Sequence, residues 1–372
     1  MAMPGQAKNN PPFRAEHIGS LRRPRELLEA YKKVQAHEIS AEAFRAVQEK
    51  CIRAVVQLQE DVGLQSITDG EFRRASYWSH FVEAVDGFTV KEALFTFKDE
   101  GGITVHFMAP HAEGKLQRAR AISTEEFKFL KSTTKRTPKI TMPSPSTMHF
   151  WRRGKGVEKA VYPDQDEFFA DLARIYREEL ADLAALGASY IQMDEVPLAM
   201  LCDPHVCESV KAGGEDPEWL TGKYIDLTNA ALEGKPEQLT VGMHLCRGNY
   251  KAKWLSEGGY HAIADRLFNR VNVDAYFLEY DTPRAGDFQP LRYMPSNKTA
   301  ILGLVSTKTP QLESAEVLKR RVDEAGRFVP LDQLAISPQC GFSSTVAGNP
   351  VGIEDQIKKL RLVVDVANQI WQ

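Results

Sequence analysis

The chain has 372 residues, of which 43% are hydrophobic, and its 47 Lys and Arg against 50 Asp and Glu give a formal net charge of -3. This composition has no basic surplus, which argues against nucleic acid or an anionic membrane as a partner. No apolar run approaches the ~18 residues of a membrane-spanning helix. Residues 1–12 are polar and rich in proline, without the apolar core of a signal peptide. We expect a cytoplasmic protein in which residues 1–12 form a flexible segment.

The cysteines indicate metal or thiol chemistry rather than a disulfide framework, because the set is odd and sparse. They are Cys51, Cys202, Cys207, Cys246 and Cys340. Cys51 falls at helical spacing among apolar residues, so it is predicted to be a core side chain. Cys202 and Cys207 lie with His205 in a predicted loop, and no second pair completes a zinc site there. We therefore interpret that group as structural.

The first half of the chain is predicted to contain three strands and three helices. The strands are 15–20, 64–68 and 139–142, and the helices are 25–36, 41–62 and 164–185. Asp164 is placed to cap the third helix and Gly187 to end it. Residues 73–137 form an excursion with strand character at 105–108, a turn at Gly101-Gly102 and a capping box formed by Ser123 and Glu126.

The second half alternates regularly between strands and helices. The predicted strands are 188–193, 239–243, 273–278, 299–305 and 334–337, and the helices include 260–268, 311–325 and 352–371. Short apolar runs rich in Val and Ile suit strands buried on both faces. The chain is therefore predicted to be an α/β protein, a single (β/α)₈ TIM barrel domain with an excursion between strands 2 and 3. The alternative is a doubly wound sheet, which the lack of a Gly-rich dinucleotide turn after the first strand disfavours.

A barrel places its chemistry at the C-terminal ends of its strands. In chain order these ends carry Ser20, Glu71, Ser144, Ser146, Asp194, Glu195, His244, Cys246, Glu279, Ser306, Thr307, Lys308 and Cys340. His244, Cys246, Glu279 and Cys340 come from three different strands, and their donor types suit tetrahedral Zn²⁺. The sequence therefore predicts a zinc site.

The remaining strand ends indicate the substrate. Glu71 and Asp194 are candidates to bind an ammonium group, and Ser20, with backbone amides after Gly19, is a candidate to bind a carboxylate. A metal-coordinated thiol ionises readily. Together these residues favour a small zwitterion that carries a thiol.

The strand-end motifs resemble the cobalamin-independent methionine synthases, above all the single-barrel, half-length members of that family. The motifs are Ile18-Gly19-Ser20, Asp69-Gly70-Glu71-Phe72, Ile191-Gln192-Met193-Asp194-Glu195, His244-Leu245-Cys246, Glu279 and Pro338-Gln339-Cys340-Gly341. The resemblance is to the C-terminal catalytic barrel and extends from residue 17 to the end of the chain.

The resemblance implies that His244, Cys246, Glu279 and Cys340 hold the zinc ion. It implies that Ile18, Gly19, Ser20, Glu71 and Asp194 hold the amino-acid end of homocysteine. The reaction would be methyl transfer to the homocysteine thiol to give methionine. The donor would be a methylated tetrahydrofolate, or a methyl-corrinoid carried by a corrinoid protein.

The chain departs from the family in two turns, and no catalytic residue is assigned. A Trp that stacks on the pterin is absent from residues 142–146, and a His proposed as proton donor is absent from residues 306–308. The chain also lacks the N-terminal barrel of the full-length synthases.

Three other functions are compatible with parts of this pattern. A zinc-dependent alkyltransferase with another thiol or donor, such as an epoxide-opening thiol transferase, is the nearest, but Glu71 and Asp194 favour an amino-acid thiol over a sulfonate. A zinc hydrolase is disfavoured because hydrolases prefer His and carboxylate ligands. A non-catalytic binding protein on the same fold would be distinguished by a metal assay and a homocysteine titration.

Overall fold

The strands of the computed structural model, which describes residues 10–97 and 104–371, form a (β/α)₈ TIM barrel with an added hairpin. They are β1 (Ser66–Ile67), β2 (Val85–Glu92), β3 (Met108–Arg118), β4 (Thr137–Pro138), β5 (Ile140–Pro143), β6 (Tyr190–Glu195), β7 (Thr240–Leu245), β8 (Ala275–Glu279), β9 (Thr299–Val305) and β10 (Leu334–Pro338). Six strands form one parallel sheet in the order β10-β9-β8-β7-β6-β5, and β1 pairs in parallel with β4. The fold class predicted from the strand and helix alternation is confirmed.

The N-terminal segment completes the ring between β10 and β1. Ala15 forms a parallel bridge with Ile336, and the Glu16 N–H donates to the Ile336 carbonyl oxygen at 2.9 Å. On the other side, Leu21 N–H donates to the Gly70 carbonyl oxygen at 3.1 Å. Of the residues in the predicted strand 15–20, all of which the structure describes, Ala15 alone forms a bridge with a neighbouring strand.

A buried ion pair joins the N-terminal segment to the residue that precedes β5. Lys139 Nζ lies 3.2 Å from Glu16 Oε2, and both side chains are fully buried. Ser66 Oγ donates to Glu16 Oε2 at 2.7 Å, and the Phe13 N–H donates to Glu16 Oε1 at 3.0 Å. Glu16 therefore ties three parts of the chain together through hydrogen bonds that offset the cost of burying its charge.

Twelve α-helices accompany the strands over the described ranges. They are α1 (Arg25–Gln35), α2 (Ala41–Val62), α3 (Ser79–Ala84), α4 (Thr124–Thr133), α5 (Thr147–Phe150), α6 (Gln165–Ala185), α7 (Pro197–Met200), α8 (Pro204–Ala212), α9 (Pro217–Leu232), α10 (Ala264–Arg270), α11 (Ala315–Ala325) and α12 (Ile353–Trp371). The predicted caps of α6 are confirmed, because the Asp164 side chain accepts from the Asp166 N–H and Gly187 adopts φ +88°. Helix α11 begins at Ala315, four residues later than predicted, and α10 is preceded by a short 3₁₀ turn, Tyr260–Ala262.

The excursion between strands 2 and 3 contains an antiparallel hairpin formed by β2 and β3. The strand predicted at 105–108 was wrong in extent, since Val105 forms only an isolated bridge with Phe97 and β3 begins at Met108. The predicted turn at Gly101-Gly102 lies outside the described residues.

The capping box predicted at Ser123 was also wrong. Helix α4 does begin at Thr124, but the Ser123 side chain makes no capping hydrogen bond. Glu179 of α6 instead accepts the Ser123 N–H at 2.6 Å, while Glu126 forms a buried ion pair with Arg74 at 2.7 Å. Glu179, distant in sequence, thus accepts the Ser123 N–H that the local pattern assigned to Glu126.

Part of the N-terminal segment is ordered against the barrel. Residues 1–9, most of the segment predicted to be flexible, lie outside the described part, but Pro12 is buried. No described helix combines the length and apolarity required to cross a membrane. That the chain is a single domain stays a prediction.

Candidate metal centre and substrate cavity

Four buried side chains with metal-binding atoms meet at the carboxyl ends of β7, β8 and β10. Their candidate ligand atoms, from His244, Cys246, Glu279 and Cys340, all lie within 4.8 Å of one another. The two sulfur atoms are 3.5 Å apart. Tetrahedral zinc with Zn–S bonds of about 2.3 Å places two sulfur ligands about 3.8 Å apart. The spacing of the thiols therefore fits a zinc ion.

Unpaired polar atoms in this cluster also fit a metal. Among the described residues, neither ring nitrogen of His244 nor Oε2 of Glu279 has a hydrogen-bond partner. The other oxygen, Glu279 Oε1, accepts the Arg247 N–H at 2.9 Å, which fixes the carboxylate. Buried polar atoms normally have partners, and a bound cation would supply one to each of these atoms.

The ionisable groups of the cluster have pKa values that are shifted in different directions. Contact with Cys246 lowers the pKa of Cys340 well below its ordinary value, although burial acts in the opposite direction. Burial raises the pKa of Glu279. Burial would lower the pKa of His244, but contact with Cys340 together with the charges of Asp194 and Glu279 outweighs it, and the pKa is raised. The cluster therefore favours a thiolate at Cys340, which is the protonation state of a metal ligand.

A cavity of about 270 Å³ reaches this cluster. Its lining includes seven of the nine predicted site residues: Ile18, Ser20, Glu71, Asp194, His244, Cys246 and Cys340. Glu279 lies in the metal cluster but does not line the cavity. Gly19 does not line it either; a Cβ there would lie 2.6 Å from Thr141 Cγ2 and φ is +128°, so the glycine permits a close backbone approach.

Glu71 and Asp194 are buried carboxylates in this cavity. Thr141 Oγ1 donates to Glu71 Oε1 at 2.9 Å. Gln192 Nε2 donates to Asp194 Oδ1 at 2.7 Å and to the Ile18 carbonyl oxygen at 2.6 Å. Burial, together with the charge of Glu71, raises the pKa of Asp194 to about 7, and burial also raises the pKa of Glu71. A ligand ammonium group would offset the cost of charging this pair.

Ser20 lies against the turn that carries Cys340. A Cβ on Gly341 would lie 1.8 Å from Ser20 Oγ, so only glycine fits beside the hydroxyl. The Phe342 N–H donates to the Ser20 carbonyl oxygen at 2.9 Å, which holds the two turns together. This contact couples the predicted carboxylate-binding residue to the metal cluster.

The sequence reasoning missed the aromatic walls of the cavity. Six rings line it: Tyr77, Trp78, Phe97, Phe107, Trp151 and Tyr250. Four of these, Tyr77, Trp78, Phe97 and Phe107, belong to the excursion at 73–137. A cluster of Phe residues in 88–107 was an available signal there. The electrostatic interaction of Lys308 with the metal cluster was also not predicted. Its side chain is buried, and Nζ has no hydrogen-bond partner in the described part of the chain. Its charge lowers the pKa of Glu279, whereas burial raises it.

The other cysteines lie away from this cluster. Cys51 is buried on α2, as predicted. Cys202 and Cys207 donate their thiol hydrogens to the carbonyl oxygens of Leu198 and Leu201. Burial raises the pKa of both thiols, which agrees with a structural interpretation.

Comparisons with known proteins agree with this arrangement. Residues 13–369 match the family described as cobalamin-independent synthase, catalytic domain. The chain is 39% identical over 368 residues to the uncharacterized protein YxjH of Bacillus subtilis, covering 97% of this chain and 95% of that protein. It is 29% identical over 330 residues to the methionine synthase of Pyrococcus horikoshii, covering 87% of this chain and 85% of that protein.

A solved structure shows the same fold. A protein of Listeria monocytogenes assigned to the vitamin-B12 independent methionine synthases superimposes with a TM-score of 0.78 at 32% identity, covering 98% of this chain and 100% of that chain. The chain therefore belongs to the cobalamin-independent methionine synthase family, of which it carries the catalytic barrel.

Proposed function

We propose that the protein is a zinc-dependent methyltransferase that transfers a methyl group to the thiol of homocysteine and gives methionine. The observation that carries this proposal is the cluster of His244, Cys246, Glu279 and Cys340 at one end of a cavity whose wall also holds two buried carboxylates. Family membership supports the reaction class, and the cavity supports the acceptor.

The acceptor is proposed from the charges in the cavity. Glu71 and Asp194 are placed to bind an ammonium group, and Ser20 is placed to donate a hydrogen bond to a carboxylate. An amino acid with a thiol side chain presents these two groups at one end and sulfur at the other. Homocysteine satisfies all three requirements.

Zinc held by the cluster would lower the pKa of a coordinated thiol, so that the sulfur is a thiolate at neutral pH. The chain's own residues position the partners of that sulfur. The Arg247 N–H holds Glu279 Oε1, and Gln192 holds Asp194 against the Ile18 carbonyl oxygen.

A different thiol acceptor is less well supported. A sulfonate thiol would need a cationic side chain where Glu71 and Asp194 lie, and the described residues that line the cavity include no Lys or Arg. A zinc hydrolase is disfavoured by the two thiol ligands, since hydrolytic zinc sites use His and carboxylates around a bound water.

The metal is tested by elemental analysis of protein purified without added zinc. We expect about one zinc per chain, and loss of most of it in the variant Cys246→Ser, Cys340→Ser. The matched control is Cys202→Ser, Cys207→Ser, which removes two thiols from the same barrel and should retain the metal. Full zinc retention in the first variant would falsify the site.

The acceptor is tested on the zinc-loaded protein by X-ray absorption at the zinc edge with and without homocysteine. Saturating homocysteine should add a sulfur scatterer to the spectrum. Homoserine, which replaces the thiol with a hydroxyl, is the control and should add none. A spectrum that homocysteine leaves unchanged would remove the chemical basis of the proposal.

A further inference from the structure

We propose that the methyl donor of this cavity is a small onium cation, a methylsulfonium or methylammonium compound, held against the aromatic walls. The inference deepens the proposed function and rests on it, because the methyl group is accepted by the homocysteine thiol. Three independent features of the cavity support it: its rings, its charge and the proton balance of the transfer.

The rings form a connected surface drawn from distant parts of the chain. The centroids of Phe97 and Phe107 are 5.1 Å apart, those of Phe97 and Tyr250 are 5.4 Å apart, and those of Phe107 and Trp151 are 5.2 Å apart. Trp78 and Tyr77 add two further rings to the same cavity. Aromatic faces attract cations, and clustered rings are the usual site for methylated onium groups.

One ring of the wall already lies near an ammonium group of the chain. Lys251 Nζ is 5.5 Å from the ring centroid of Tyr250, and Lys251 is exposed and does not line the cavity.

The charge of the lining favours a cation over an anionic donor. Glu71 and Asp194 are its carboxylates, and no Lys or Arg joins them among the described lining residues. Homocysteine brings one ammonium group and one carboxylate, whose charges cancel, so the two acids leave a surplus of negative charge when both are ionised. A donor that carries several carboxylates would face that surplus without a partner, whereas a cation would neutralise it.

The proton balance favours an onium leaving group. The thiolate sulfur forms a bond to the methyl carbon, the bond from that carbon to the onium sulfur or nitrogen breaks, and its electron pair stays on the departing atom. The leaving group is then a neutral sulfide or amine and needs no proton. Transfer from an onium donor therefore asks no acid of the cavity, and the turn at 306–308 provides no histidine.

Binding is tested with a cation and its neutral isostere on zinc-loaded protein saturated with homocysteine. Choline and 3,3-dimethylbutan-1-ol have the same shape and differ in the charge of one atom. We expect choline to bind roughly tenfold more tightly. Phe107→Leu, which keeps an apolar side chain but removes the ring, should weaken choline roughly 3- to 30-fold and change the alcohol by less than about twofold.

The matched control is Tyr293→Leu, which removes an exposed ring that does not line the cavity. This variant should leave the affinity for both compounds unchanged. A purely structural role of Phe107 would weaken both compounds equally, so the ratio of the two affinities is the decisive readout. Equal binding of the two isosteres by the unsubstituted protein overturns the inference.

Transfer is tested by offering homocysteine with trimethylsulfonium, a trimethylammonium donor, 5-methyltetrahydrofolate with one or three glutamates, and methylcobalamin. Methionine together with dimethyl sulfide from the sulfonium, with a KM raised by Phe107→Leu, supports the inference. Methionine from the folate or the corrinoid alone overturns it and leaves the proposed function standing. Cation binding without transfer from either onium donor also overturns it. An absent response to homocysteine at the zinc edge is the separate failure of the proposed function.

Discussion

Replacing Asp194 with asparagine should stabilise the folded protein while it weakens homocysteine binding. Burial and the neighbouring charge of Glu71 raise the pKa of Asp194 to about 7 in the folded protein, whereas an unfolded aspartate has a pKa of ~3.9. A carboxyl whose folded pKa is raised contributes stability at low pH, and this stability is lost as the pH rises from the unfolded to the folded pKa. Asparagine is neutral at every pH, and its oxygen can accept the Gln192 hydrogen bond.

The size of the effect follows from the pKa gap. Three pKa units at 1.36 kcal/mol each give a cost of about 4 kcal/mol above pH 7 for keeping Asp194 charged. At pH 5 only about one unit has been crossed, so the cost is roughly 1–2 kcal/mol. The stabilisation of the variant should therefore grow by roughly 2–3 kcal/mol between pH 5 and pH 8.

The assay is urea unfolding of metal-free protein at the two pH values, with Asp365→Asn as the control. Asp365 is exposed on α12, so its substitution should change the stability equally at both. On zinc-loaded protein, Asp194→Asn should weaken homocysteine roughly tenfold or more, because a hydrogen bond to a charged group contributes ~1.5–3 kcal/mol. A stability gain that is the same at pH 5 and pH 8 would refute the electrostatic reasoning, and unchanged affinity would refute the proposed ammonium site.

The remaining predictions concern other parts of the barrel. Glu279→Gln should retain more zinc affinity than a variant that lacks either thiol, because a carboxylate is the hardest ligand of the set. Chelator competition measures these affinities, and equal losses of affinity would contradict this ranking. Gly341→Ala places a methyl group 1.8 Å from the present position of Ser20 Oγ, so homocysteine affinity measured by calorimetry should fall while zinc content is kept; unchanged affinity would remove Ser20 from the site. Lys139→Met leaves Glu16 buried without its ion-pair partner and should lower the free energy of unfolding in urea by ~3–5 kcal/mol. The added substitution Glu16→Gln should restore most of this loss. A small loss of stability in Lys139→Met alone would mean that the pair is not buried in solution.

The sequence by itself determined the alternation of elements and the places where chemistry could occur. Asp164 caps α6 through an amide two residues away, an interaction that any helix start can make locally. His244 and Cys246 are two residues apart, and the strand period of two directs both toward the same side. Such features depend on neighbours in the chain, so periodicity and residue type were sufficient to predict them.

The tertiary structure alone decided which distant residues meet. Cys246 and Cys340 are separated by 94 positions, yet their sulfur atoms lie 3.5 Å apart because the barrel brings the ends of β7 and β10 to one face. Ser123 and Glu126 have the local pattern of a capping box, but the Ser123 side chain makes no capping hydrogen bond and its N–H donates to Glu179 of α6 instead of to Glu126. The ring contact between Phe97 and Tyr250 is equally remote in sequence. These pairings depend on the packing of whole elements, which no local pattern records, and they define the aromatic half of the cavity that the sequence left undescribed.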